Sequence, residues 1–386
     1  MSRREFLAFA AVLVAMTIAF RATNNMVGTT IPLVAKYELG FSQTVVGLLS
    51  SAYMITNLVT NTFITPRMRG VLLQRFFVVA TFANVALLPL FYLANSVTIW
   101  LVALASGLVN ALITPVIMAY ASSGPDPERM LNLYSTALSL SLVLGPLYET
   151  ALLQRVTYSE VFLYFIPVAL LLAMLSPRVK IKVRERKGGS ARGDLRNPGL
   201  ISAMLAITTY NVPFAAITTF SAILAEQRFH VESALAYSVY IPFFTASFLT
   251  RLLMTIRPFE NLRRPLSVSI VITALSLVGQ AFAQNYTEFL AFYFILGIPH
   301  GSVFPMATVL ISRTSKPEER VALNAYFMAY NNVLFIVVPP VVGLLSDLIG
   351  LANAFAVLVL VVFASAVPLA RYMRMPFFSS RTSSTS

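Results

Sequence analysis

Long apolar runs fill this chain, and charged residues stand almost only between them. A run of roughly 18 or more residues without charge can cross the ~30 Å hydrocarbon core of a bilayer as a helix. Leu39 to Pro66 is one such run, and Phe76 to Pro125 is long enough for two helices joined at Asn95-Ser96. Six more follow: Asn197 to Ala225, Ser233 to Thr250, Pro265 to Thr287, Phe289 to Ser312, Val321 to Ser346 and Leu348 to Ala370. Three spans are interrupted or short: Phe6 to Val34 contains Arg21, Leu131 to Leu153 contains Glu149, and Val161 to Pro177 ends in a basic stretch. The pattern predicts an all-α membrane protein with twelve transmembrane helices. The first span follows Met1-Ser2-Arg3-Arg4-Glu5 with no small-residue cleavage site, so it is expected to serve as its own insertion signal.

The only long polar stretch lies near the midpoint. Residues 177–198, rich in Lys, Arg, Gly and Ser, read as a linker between a six-helix bundle at 1–176 and a second at 199–386 with a short tail. An internal repeat supports two pseudo-symmetric halves. Gly107-Leu-Val-Asn110 with Pro115, then Pro127-Glu128-Arg129, recurs as Gly297-Ile-Pro-His300 with Pro305, then Pro317-Glu318-Glu319-Arg320. The offset of 190 to 191 residues is close to half the chain.

Composition and charge sharpen this picture. Of 386 residues 58% are hydrophobic and 11% charged, too few charges to coat a water-facing surface. The net charge of +13 would suggest nucleic acid in a soluble protein, but the basic residues cluster in the short loops. With the N-terminus inside, the cytoplasmic segments hold 23 of the 28 Lys and Arg residues and the outer loops only Lys36, Arg155 and Arg228. Both termini are therefore expected in the cytoplasm, in a multi-pass protein of the cell membrane. The basic linker suits anionic lipid headgroups on the inner leaflet rather than nucleic acid. There is no cysteine, which excludes disulfides, thiolate metal sites and cysteine nucleophiles.

Three stretches carry a resemblance to a known family. Pro32-Leu-Val-Ala-Lys-Tyr-Glu-Leu-Gly40-Phe-Ser42 leading to Val46-Gly47, Gly145-Pro146 in span 5, and the region from Gly297 through Pro305 and Arg320 to Pro339-Pro340-Val-Val-Gly343 are similar to the major facilitator superfamily, twelve-helix prokaryotic type. The resemblance covers essentially the whole chain. It implies that spans 1, 4, 7 and 10 line a central cavity. Two motifs depart from the family pattern. The signature loop Gly-x-x-x-Asp-Arg-x-Gly-Arg-Arg is replaced by Asn61-Thr-Phe-Ile-Thr-Pro-Arg67-Met-Arg69-Gly70, without the acidic residue that latches the cytoplasmic side. Glu149-Thr150 stand where the antiporter motif would have two glycines. Arg69 in that loop and Arg251 near the end of span 8 are the gating candidates; Arg251 alternatively snorkels to the interface.

A charged side chain at membrane depth costs at least about 2.5–3.5 kcal/mol and is a functional candidate by default. Arg21 lies some sixteen residues into span 1, and guanidinium offers a planar fork for carboxylate or phosphate. It is expected to contact a substrate anion, or else to pair permanently with Glu149. At similar depth on the cavity-lining spans come Asn110, Asn211 beside Tyr210, and His300; Asn24, Asn25 and the group Tyr330-Asn331-Asn332 would complete a substrate-binding set. Each asparagine alone could simply hold two helices together. Glu149 is the first candidate for proton coupling and His300 the second, although a lone histidine is more simply a neutral one satisfied by a neighbouring helix. Gly297 and Gly301 around it form a spacing for close helix approach.

Together these readings predict a secondary active transporter working by alternating access, coupled to protons and moving a small organic anion or zwitterion, as a monomer without cofactor or metal. Proton-driven efflux of amphipathic drugs is the alternative, suggested by Gly145-Pro146 and the apolar spans 7 and 8. No Gly-x-x-x-x-Gly-Lys-Ser/Thr is present to bind nucleotide. A membrane-embedded enzyme would need a reactive cluster that two histidines and few acidic residues do not supply, and no selectivity-filter repeat suggests a channel.

Overall fold

A computed structural model describes residues 3–68, 70–179 and 193–379. The gating candidate Arg69 and most of the expected linker, 180–192, lie outside these residues. Among the described residues the chain forms twelve helices and no strand. They are α1 (Arg3–Leu33), α2 (Gln43–Val59), α3 (Gly70–Tyr92), α4 (Thr98–Ser122), α5 (Pro127–Leu152) and α6, which breaks at Phe165 into Tyr158–Tyr164 and Ile166–Leu175. Then follow α7 (Pro198–Phe229), α8 (Tyr240–Ile256, entered through the helical turn Ser233–Tyr237), α9 (Arg263–Phe282), α10 (Tyr286–Thr314), α11 (Arg320–Ile349) and α12 (Leu351–Tyr372). Eleven are long and apolar enough to cross a membrane; the twelfth, α2, has 17 residues, and a π turn at Thr60–Ile64 carries it on.

The ends are set by local chemistry. Asp126 accepts a hydrogen bond from the Arg129 amide at 3.1 Å and Pro127 takes the first position of α5, where a missing N–H costs nothing. Thr157 and Glu160 form a capping box that starts α6. The Asn197 side chain accepts from the amides of Gly199 and Leu200 and so caps α7. At the other end His230, at φ 51°, turns the chain out of the helix.

Two compact units divide the chain: Met1–Arg186 with Val231–Ser238, and Lys187–His230 with Val239–Ser386. In the first, α1 packs along α5 and α2 along α4; in the second, α7 packs on α10 and α12, and α8 along α10. Glycine makes two of these crossings close. A Cβ on Gly107 of α4 would fall 2.1 Å from the Tyr53 carbonyl oxygen of α2, and one on Gly297 of α10 would fall 2.1 Å from the Phe243 carbonyl oxygen of α8. No larger residue fits at either place. Tyr53 and Phe243, like Gly107 and Gly297, are 190 residues apart, so the repeat in the sequence is a repeat of one helix crossing. Away from the cores, Leu101, Leu253, Leu275, Leu360 and Val367 are each about two-thirds exposed. Such residues on so many helices make a surface suited to lipid rather than water.

Candidate functional site

The first unit holds a polar cluster built around α1. Positions 21, 24, 25 and 28 recur at helical spacing and are the half-buried face of a stretch whose other residues are buried. Arg21 stands three residues past the midpoint of α1, within about 5 Å of its centre along the axis. The Tyr53 hydroxyl donates to Asn24 Oδ1 at 2.5 Å. Asn110 of α4 donates from its amide nitrogen to the Ser106 carbonyl at 2.9 Å, and the Tyr53 hydroxyl lies beside the same amide. Tyr53 and Tyr134, from α2 and α5, are close enough to act electrostatically on the Arg21 guanidinium.

Three buried polar atoms in this cluster have no protein partner: Arg21 Nε, Asn25 Nδ2 and Asn110 Oδ1. The Asn110 orientation is fixed, because the Ser106 carbonyl can only accept and must therefore face the NH2 group. What is left is two donors and one acceptor in one cluster around a permanent positive charge. Buried polar groups left unpaired call for an explanation, and a polar ligand is one.

Glu149 belongs to a second cluster of the same unit. Thr30 donates a short hydrogen bond to Glu149 Oε1, while Glu149 Oε2 is buried without a hydrogen-bond partner, with Tyr237 nearby. Tyr237 also meets Thr29 at 2.6 Å. Glu149, Thr30 and Tyr237 are fully buried. Nine residues of α1 separate Arg21 from Thr30, roughly 13–14 Å along the axis, so the permanent Arg21–Glu149 pair is not formed here.

The second unit has its own cluster. Asn211 of α7 donates to Asn331 Oδ1 of α11, while Asn331 Nδ2 donates to the Phe327 carbonyl at 2.7 Å and so sets the direction of the pair. Thr208 and Tyr330 join the same two helices at 2.5 Å. Asn332, next in the chain, is half-buried and outside this network. His300 of α10 sits with Nδ1 3.2 Å from the Ser247 hydroxyl of α8. Its ring meets Phe214, Phe243, Tyr210 and Phe244 edge-on, with centroids 4.2 to 5.6 Å away. Arg251 does not run out along α8 toward an interface: its guanidinium turns to the His300 carbonyl at 3.4 Å.

The 190-residue offset relates Arg21 to Asn211 and Asn110 to His300 as well, so the candidates occupy matching places in the two units. Sequence reasoning missed Tyr53, Tyr134, Tyr237, Thr30, Ser247 and the phenylalanines around His300. The offset carries a signal for one of them, since it pairs Tyr53 with Phe243. Among the described residues no group of His, Asp and Glu could hold a metal ion.

A search of curated protein sequences finds no match. Solved transporters share the fold. A bacterial homologue of the human lysosomal transporter Spinster, in an inward-facing and occupied conformation, aligns with a TM-score of 0.78 at 13% identity, over 99% of this chain and 100% of that one. A mutant of the nucleoside transporter NupG gives 0.75 at 10% identity over 94% and 99% of the two chains. A POT family transporter in complex with 5-aminolevulinic acid gives 0.74 at 10% identity over 94% and 96%. A family model described as Major Facilitator Superfamily matches residues 9–258 and 259–385. With that match across nearly its whole length, this multi-pass membrane chain belongs to the major facilitator superfamily and is a transporter, not an enzyme.

Proposed function

We propose that the protein is a proton-coupled secondary transporter that moves a small organic anion or zwitterion by alternating access, as a monomer in the cell membrane. The observation that carries this reading is the Arg21 cluster. A guanidinium near the centre of α1, flanked by tyrosines and by unpaired Asn25 Nδ2 and Asn110 Oδ1, offers a cationic fork, a neutral donor and an acceptor. A carboxylate satisfies the donors, and an ammonium or hydroxyl group on the same ligand satisfies the acceptor. Glu149 is the proton carrier in this account because it is an ionisable side chain with no charged partner among the described residues, enclosed in the body of a span. The aromatic ring around His300 supports the second reading, efflux of amphipathic drugs, since such a surface takes apolar bodies of many shapes.

Thermal stabilisation of the purified protein across organic acids, amino acids, sugars and lipophilic cations separates the two, because a ligand bound to the folded state raises the melting temperature. Amino acids or organic acids should stabilise, and lipophilic cations should not; the reverse result gives the function to drug efflux. The basic loops further support cytoplasmic termini. In this cysteine-free chain, Ser96→Cys should react with an impermeant reagent added outside intact cells and Ser190→Cys should be spared. The opposite pattern inverts the topology.

A further inference from the structure

Ser269, Thr273, Ser276 and Gln280 are buried and fall on one face of α9, at steps of four, three and four residues. The helix packs against α10 and α12 of the second unit. One half of this face is satisfied within the protein. Ser269 meets the Ser302 hydroxyl of α10 at 2.9 Å and donates to the Pro265 carbonyl, and Thr273 donates to the Ser269 carbonyl. The other half is not. Gln280 is fully enclosed, yet neither its amide nitrogen nor its amide oxygen has a hydrogen-bond partner in the protein, and the Ser276 hydroxyl one turn away has none either. Because both amide atoms stand alone, turning the amide over changes nothing.

The fold does not demand polar side chains here. The buried face of α3 in the first unit carries Phe77, Thr81, Asn84 and Leu88 at the same steps, each 192 residues before its counterpart on α9. Leu88, with no exposure, fills the place that Gln280 takes in the second unit. An apolar residue fits that position, so the cost of burying an amide there calls for a compensating partner.

We infer that ordered water is bound in the seam beside Gln280 and Ser276, at a site separate from the Arg21, Glu149 and His300 clusters. The inventory of donors and acceptors selects the occupant. Gln280 offers two amide hydrogens and a carbonyl oxygen, and Ser276 a hydroxyl that both gives and accepts. A cation suits the two oxygens and strands the amide hydrogens; an anion suits the hydrogens and strands the carbonyl. Water gives and accepts at once, and a buried water makes about three hydrogen bonds. The two side chains stand one turn apart, about 6 Å along the axis, the span that two hydrogen bonds through one water cover. Helix α10 thus has a close face, where Gly297 meets α8, and a wet face toward α9. None of this depends on the roles given to Arg21 and Glu149.

X-ray hydroxyl-radical labelling of the purified full chain, read by mass spectrometry, tests the site, because radicals made from an enclosed water oxidise the side chains around it. Leu277 is the reporter: it is fully buried and lies four residues from Thr273 and three from Gln280, on the same face. Leu296 and Leu310 of α10, of the same type and equally buried, are the controls. With water beside it, Leu277 should be labelled about tenfold more than either control. Gln280→Leu, which copies the first unit, should bring Leu277 down to the control level. Ser276→Ala, a smaller change that leaves the packing intact, should give an intermediate level. Leu277 labelled no more than the controls in the wild type, or labelled equally in the wild type and both variants, overturns the inference. A melting temperature that rises with sodium or with chloride in the wild type and not in Gln280→Leu overturns it too, and assigns the site to that ion.

Discussion

Arg21→Gln should weaken binding of an anionic ligand about a hundredfold or more while leaving the fold intact. The guanidinium sits near the centre of α1, with Tyr53 and Tyr134 rather than a carboxylate around it. A charge-assisted hydrogen bond contributes about 1.5–3 kcal/mol, and a two-pronged carboxylate contact offers two of them, so losing the fork costs at least about 3 kcal/mol of binding. Arg21→Lys keeps the charge and loses the planar fork, and should fall between, near tenfold. Ligand titration of the two variants, monitored by melting temperature, checks both numbers. If Arg21→Gln binds and transports every tested anion as the wild type does, Arg21 has no part in recognition.

Glu149→Gln should uncouple transport from the proton gradient while exchange of ligand for ligand persists. The amide cannot take up a proton, yet it keeps the size of the acid and can still accept from Thr30, so the α1–α5 contact survives. The effect should be close to complete: accumulation under an imposed pH difference falls to the level seen with no gradient. The measurement is counterflow beside gradient-driven uptake in the same proteoliposomes. An unchanged response to the gradient would remove Glu149 from the mechanism and leave His300 as the next candidate.

Much of the fold was legible because the bilayer imposes length. The helix joint at Asn95-Ser96 falls between α3 and α4, and the repeat around Gly107 and Gly297 marks a close crossing that only glycine permits. The polar residues of the spans were legible too, since each stands out against an apolar background. Their partners were not. Arg21 and Glu149 looked like a pair because both are rare charges in the first half, but the register of α5 on α1 sets Glu149 against Thr30, nine residues further along. Tyr53, Tyr134 and Tyr237 carry no such signal, because a tyrosine facing lipid and one facing a polar cluster look alike in a sequence. Arg251 sits near a helix end, where snorkelling is the ordinary expectation; only packing reveals that the His300 carbonyl is within its reach.

The central claim, that protons drive movement of an anionic or zwitterionic ligand, is tested most directly by wild-type protein in liposomes. The ligand that stabilises it best is supplied under an imposed pH difference with the membrane potential held at zero. The account predicts accumulation above equilibrium on one sign of the gradient, abolished by a protonophore. Uptake that stops at equilibrium and is identical with and without the gradient would contradict it.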